Sequence, residues 1–398
     1  MNQVVQANAP SQSRLDAAKE HLRALIGFDT VSKKSNLALI TYMADYFAIL
    51  GADITVLPDA TGGKANLVAR FGPAGQPGVV LSGHTDVVPA EEGDWVTPPF
   101  EMAERNGRLY GRGACDMKGF AACVMAAAPG FAAANLSRPL YLCFSYDEEV
   151  GCLGAPDIAC HLAALPVPPG LAVIGEPSNM KLVTGQKGKI AMRAVVTGTS
   201  GHSSFAPQHV NAVEYAARVI SKIEARAAQY AAEGPFDEDF TVPHATMLAT
   251  MITGGVATNV TPEQCSFTFE LRSIGANDAE ADMAALTESI TQEVDAEMRA
   301  KAGCAGIEWQ RIFAYPAMTD ARGTRGFEEL ASIMPEFGGK VSYGSDGGVF
   351  EKIGGIPSVI VGPGSIEQAH KPNEYIDISQ IGACIEFLAS LTAQLSAH

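Results

Sequence analysis

The chain has 398 residues, 47% of them apolar and 18% charged, with 44 acidic against 28 basic side chains and a formal net charge of -16. That length favours two domains over one, and the composition is globular, not disordered. The acidic balance argues against nucleic acid or an anionic membrane as partner, because both are met by basic patches; it suits metal ions or a cationic substrate.

Residues 1–14 are polar, so no signal peptide is expected, and no run is read as long enough to span a membrane. The eight cysteines include no C-x-x-C pair, and several lie in apolar runs where a free thiol acts as a small hydrophobe. The expectation is a reduced, cytoplasmic protein without disulfides.

In chain order, helical spacing covers residues 11–28, with Leu15, Leu22, Leu25 and Ile26 on one face. It recurs from Leu37 to Leu50 and stops at Gly51. Strand-like runs follow at 53–56, 66–69 and 78–84, the last ending in His84-Thr85-Asp86. In an extended chain residues i and i+2 share a side, so the Asp86 carboxylate can hold one imidazole nitrogen of His84 and leave the other for a metal. A tight turn at 111–119 feeds a helix over 117–128. Buried strands at 140–146 and 171–175 run into Asp147-Glu148-Glu149 and Glu176. Alternating strands and helices read as an α/β domain with a largely parallel sheet flanked by helices.

The pattern then changes. Strands at 189–197, 246–253, 265–273 and 307–314, with helices over 211–230 and 278–302, spell β-α-β-β-α-β, a ferredoxin-like insert. The α/β pattern resumes with a helix started by Gly344-Ser345-Asp346-Gly347-Gly348, a strand at 357–361, a loop to His370 and a last helix over 376–391. The expected domains are 1–186 and 315–398 for the catalytic fold and 187–314 for the insert.

His84, Glu148, Glu149, Glu176 and His370 each lie just past the carboxyl end of an expected buried strand, and Asp116 lies at a helix start. In open α/β sheets ligands bind at that edge. Taken singly, Asp116 reads as a helix N-cap, Glu148 and Glu149 as a solvated pair, and His370 as a surface histidine. Together they read as a metal site. Two histidines and three carboxylates carry a charge of about -3 against +4 for two zinc ions, leaving one acid as general base; a mixed nitrogen and oxygen set suits zinc, then cobalt or manganese. No G-x-S-x-G elbow, Walker loop or completed dinucleotide fingerprint is present.

His84-Thr85-Asp86, Gly113-Ala114-Cys115-Asp116-Met117-Lys118-Gly119, Asp147-Glu148-Glu149-Val150-Gly151 and Gly175-Glu176-Pro177 resemble the ordered motifs of the dinuclear zinc deacylases and metallopeptidases. The resemblance covers nearly the whole chain. It implies that His84, Asp116 and Glu176 hold one Zn2+ and Asp116, Glu149 and His370 the other, with Co2+ or Mn2+ as substitutes. It further implies that Asp86 orients His84, that Glu148 is the general base for a hydroxide bridging the metals, and that a cis peptide follows Asp116. The insert would be a lid and dimerisation domain of a homodimer. Its His202 and Asn259 would reach the neighbouring subunit's site, and Arg272 would meet the substrate carboxylate.

Residues 362–372 most resemble the branch that hydrolyses N2-acetyl-L-ornithine to L-ornithine and acetate, so the partner implied is a small N-acyl amino acid. That branch usually carries Thr-Glu-Ala where this chain has Ser345-Asp346-Gly347. Asp346 is expected to face the cationic δ-amine. The alternatives are a succinyl-diaminopimelate desuccinylase or a broader N-acyl-amino-acid amidohydrolase with the same site and, outside enzymes, a metal-holding binding protein.

Overall fold

Each fully apolar run becomes a strand buried along its length, as a parallel sheet covered by helices requires. A computed structural model describes residues 12–334 and 336–396; the reading that residues 1–14 hold no signal peptide falls mostly outside them. The chain divides into two units, one of Met1–Gly185, Thr319–Lys340 and Ser345–His398, the other of Gln186–Met318 and Val341–Gly344.

The first unit is built on an eight-stranded sheet in the order Asp53–Pro58, Ala65–Phe71, Leu140–Ser145, Val79–His84, Leu171–Ile174, Ser358–Ile360, Leu182–Gln186, Phe337–Val341. The four strands from Leu140–Ser145 to Ser358–Ile360 are mutually parallel, while pairings further out are antiparallel. Helices Gln12–Ile26, Lys118–Ala133 and Ile378–Leu395 pack together over it, burying Leu22, Phe120, Phe131, Ile385 and Leu388 with Leu81, Leu142 and Val173 of the strands. Truncating a buried phenylalanine such as Phe120 costs about 3–5 kcal/mol.

Ile378–Leu395 is long and apolar enough for a membrane span by length and composition, which the sequence reading did not anticipate. Its apolar side, including Ile381, Phe387 and Leu391, is core. Short elements the sequence reading passed over are helices Ala155–Ala163 and Arg325–Ala331 and the small sheet of Ala103–Arg105, Arg108–Tyr110 and Tyr375–Asp377. They are too short for periodicity to stand out.

The second unit has a four-stranded antiparallel sheet in the order Thr246–Gly254, Gln264–Ser273, Gly188–Thr197, Gly306–Tyr315, the expected βαββαβ topology. Helix Ala212–Glu233 starts where the Asn211 side chain accepts from the N–H groups of Val213 and Glu214. The second helix is not continuous. Ala279–Ile290 passes through a π turn at Thr291–Asp295 before Ala296–Lys301. There the buried Asp295 carboxylate turns inward to accept from Ile307 N–H (2.5 Å) and Arg299 Nε (2.6 Å). Thr246–Gly254 is an edge strand with a bulge between Ala249 and Met251.

Candidate metal centre

Parallel pairing lines up the carboxyl ends of neighbouring strands. His84 closes Val79–His84 directly opposite Ser145, the last residue of Leu140–Ser145. Glu148 and Glu149 follow within a turn through Asp147, at φ 53°. Glu176 lies two residues beyond Leu171–Ile174. Asp116 sits on a turn with Gly113 at φ 80°, just before Lys118–Ala133, and the Asp116–Met117 peptide is cis, in line with the resemblance. That helix can lie tight against the sheet because residue 175 is glycine; a Cβ there would stand 2.1 Å from the Phe120 ring. His370 enters from the loop after Ser358–Ile360, at φ 58°.

The Asp116 carboxylate faces two ways. Its Oδ1 is 2.9 Å from His84 Nε2 and its Oδ2 is 3.2 Å from His370 Nε2. Glu176 Oε1 lies 3.7 Å from the same nitrogen of His84, and Glu149 Oε2 lies 3.0 Å from that of His370. Two donor sets, each of one imidazole and two carboxylates, thus share one residue. That fits a pair of divalent cations bridged by Asp116. The N-cap alternative for Asp116 fails: Met117 occupies the cap position, without a side-chain cap bond. His84, Asp116 and Glu176 are buried and His370 is half exposed.

Among themselves these groups shift strongly. Burial pushes the Glu148 carboxyl well above its ordinary range, against the pull of His84 and with the push of Glu176 and Asp346. Burial also lifts Glu176 well up and Glu149 to about 7. Burial would raise Asp116 too, but hydrogen bonds from His370 and His84 hold it well below the usual carboxylate range. Hydrogen bonds to Asp116 and Glu149 raise His370 to about 10. A cluster of perturbed groups at one sheet edge is what a working site looks like.

Asp86 does more, and does it differently, than expected. His84 Nδ1 bonds the main-chain carbonyl of Asp86 at 2.9 Å, whereas the Asp86 carboxylate lies 3.6 Å away. The strand ends at His84, so the alternation assumed for positions 84 and 86 does not continue. The carboxylate instead accepts from the N–H groups of Glu148 (3.1 Å) and Glu149 (3.3 Å) and from Ser32 Oγ (2.8 Å), fixing the turn that carries both glutamates.

Asp346 differs most from its expected place. It is 2% exposed, its Oδ2 accepts from Ser145 Oγ at 2.6 Å, and it belongs to one buried group with Glu148 and Cys152. Its carboxylate lies close to Glu148 and Cys152 and is not exposed to solvent. In the second unit His202 is exposed and bonded through Nδ1 to Ser204 Oγ at 2.8 Å, and Asn259 is exposed beside it, its carbonyl accepting from Ser203 N–H. Arg272 is half-buried and held by Glu270 and by the Tyr315 hydroxyl, each at 2.9 Å. Sequence reasoning missed Glu374, buried at 2% exposure beneath the Asp116 turn. The only signal was an acid four residues after His370.

Residues 80–394 match the model of peptidase family M20/M25/M40, and the chain belongs to that family. It is a metal-dependent amidohydrolase of the family's mixed α/β fold. Among individual relatives, it is 32% identical over 364 residues to an acetylornithine deacetylase of Proteus mirabilis, covering 91% of each chain. In fold it is similar to an M20 family metallo-carboxypeptidase of Sulfolobus solfataricus, with a TM-score of 0.76 at 17% identity over 95% of this chain and 99% of that one. A dinuclear metal binding peptidase of the family from Bacillus subtilis superposes with a TM-score of 0.65 at 14% identity, over 96% and 98% of the two chains.

Proposed function

We propose that the protein hydrolyses the acetyl amide of N2-acetyl-L-ornithine, releasing ornithine and acetate. The observation that carries the reading is the division of Asp116 between His84 with Glu176 and His370 with Glu149, in a chain 32% identical, over 91% of its length, to an acetylornithine deacetylase. Two zinc ions held by these five residues would supply Lewis acidity to the attacking water and the acyl carbonyl. Glu148 takes the proton of the attacking water and returns it to the departing amine. Burial raises its carboxyl, which favours its holding that proton between the two transfers. Asp86 keeps Glu148 and Glu149 in place through their main-chain N–H groups. Asp116, with one oxygen toward His84 and the other toward His370, is placed to serve both donor sets.

The second unit serves as lid and dimerisation domain in this proposal. Its edge strand leaves Leu248, Met251 and Ile252 between 48% and 66% exposed. Unpaired apolar edges of that kind suit a second copy adding strand to strand. His202 and Asn259, both exposed where Gly201–His202 pairs with Val260–Thr261, are offered to the partner's site, and Arg272 to the substrate carboxylate, in exchange for Glu270.

One observation favours a broader N-acyl-amino-acid amidohydrolase as the second reading. With Asp346 buried, that position offers no exposed carboxylate for a δ-amine. The test compares kcat/KM for N2-acetyl-L-ornithine, N-succinyl-diaminopimelate and N-acetylmethionine. The proposal expects acetylornithine to lead by tenfold or more. Equal rates on acetylmethionine would establish the broader enzyme, and faster succinate release the desuccinylase.

A further inference from the structure

Three consecutive features of the turn at 111–116 create a problem. The turn is buried, Gly113 is in the left-handed region at φ 80°, and no helix or strand ladder takes up the N–H groups of Gly113, Cys115 and Asp116. Buried donors left without partners would each cost about 1–3 kcal/mol. Glu374 meets all three. Its Oε2 accepts from Gly113 N–H (3.0 Å), and its Oε1 accepts from Cys115 N–H (2.9 Å) and Asp116 N–H (3.0 Å). Its main-chain carbonyl accepts from Gly111 N–H at 3.0 Å.

The negative charge is matched by Arg112, whose Nη1 donates to Glu374 Oε2 at 2.8 Å and lies 3.4 Å from the Lys371 carbonyl. Arg112 Nη2 donates to the Pro89 carbonyl at 3.2 Å, and the guanidinium lies 5.1 Å from the centre of the Trp95 ring. Glu374 and Arg112 are 2% and 3% exposed. One short segment therefore carries His370 at its start and Glu374 at its end. Through Glu374 it holds, by four hydrogen bonds of 2.8–3.0 Å, the turn that presents Asp116.

We infer that Glu374 is a positioning residue for the metal centre: by clamping the Asp116 turn to the His370 segment, it sets the distance between the donors of the second cation. The inference rests on the reading of Asp116 and His370 as metal ligands. Glu374 touches neither cation nor substrate, because both its oxygens are taken up by the turn. Loss of the clamp frees the turn and the His370 segment to move apart. The set of Asp116, Glu149 and His370 depends on both segments, whereas the set of His84, Asp116 and Glu176 depends only on the turn. The second set should suffer more.

The test is calorimetric titration of the metal-stripped full-length protein with Mn2+, alongside thermal unfolding of the same stripped samples. Glu374→Asp keeps the charge facing Arg112 but draws the carboxylate back by one methylene. Arg112→Lys leaves Glu374 in place and removes the fork that reaches Lys371 and Pro89. The wild-type protein should bind two ions. Glu374→Asp should weaken the weaker of them by about 10- to 100-fold, the usual effect of losing a group that orients a metal ligand, with less change at the tighter. Arg112→Lys should do the same to a smaller degree. Variants that melt lower yet bind both ions within twofold of wild type would show a purely structural clamp and overturn the inference. A wild-type protein binding fewer than two ions would overturn the reading beneath it.

Discussion

The two units differ in where they put residues that do not belong. The first takes charged groups inside: His84, Asp86, Asp116, Glu176, Asp346 and Glu374 are each at most 5% exposed, gathered at one end of its parallel strands. The second, among its described residues, buries fewer charged groups, Lys187 and Asp295, and leaves apolar ones outside at and beyond one edge strand, with Met251 at 66% and Val256 at 90% exposure. Buried charge is unfavourable unless paired or bound to metal, and exposed apolar surface is unfavourable unless covered. In the proposal above, that contrast puts the chemistry in the first unit and the contact with a second copy in the second.

The sharpest way to break that division is Glu148→Gln. Turnover should fall by about 10²- to 10⁴-fold while metal content, measured by atomic emission, stays at the wild-type value. Loss of metal along with turnover would make Glu148 a ligand and not the base. Next in size is Met251→Lys with Ile252→Lys on the exposed edge strand. Two charges there should convert a dimer to a monomer in sedimentation. Unfolding of the second unit should shift little, because exposed substitutions usually change stability by about 0.5 kcal/mol or less. An unchanged mass would place the contact elsewhere.

The smallest effect concerns Glu351, outside the cluster. Its carboxylate accepts from Thr319 N–H (2.6 Å) and Oγ1 (3.0 Å), where the chain re-enters the first unit after the insert. Burial raises its carboxyl from the ordinary 4.5 to about 7. The folded protein then holds this proton over a pH range in which the unfolded chain has lost it. Stability from this group is therefore full below about 4.5 and declines as pH rises through about 7. Glu351→Gln should flatten that decline in a series of denaturation midpoints from pH 5 to 8. An unchanged slope would assign the decline to other groups.

Much of this was legible in the chain. Mostly apolar strands of four to six residues, ending in a histidine or followed by acids, marked both the sheet and the edge where its side chains meet. The two long amphipathic segments of the insert announced their helices in the same way. Other features depend on partners that a sequence does not display. Glu374 acts on main-chain N–H groups about 260 positions earlier, at separations of 258 to 261 residues. The Asp86 carboxylate does likewise, and its chain direction changes because the strand stops at His84. Asp346 was placed by analogy with a substrate contact, but burial beside Ser145 and Cys152 is a tertiary outcome. The π turn at Thr291–Asp295 follows from one buried carboxylate reaching a neighbouring strand, which helical periodicity cannot reveal.

Sharing of Asp116 is the claim on which the rest depends. Equilibrium binding of Zn2+ to the stripped wild-type protein and to Asp116→Ala tests it directly. Two ions per wild-type chain, with both affinities falling together in the variant, is the expected result. A variant that keeps one site at wild-type affinity would contradict a shared carboxylate and the dinuclear centre built on it.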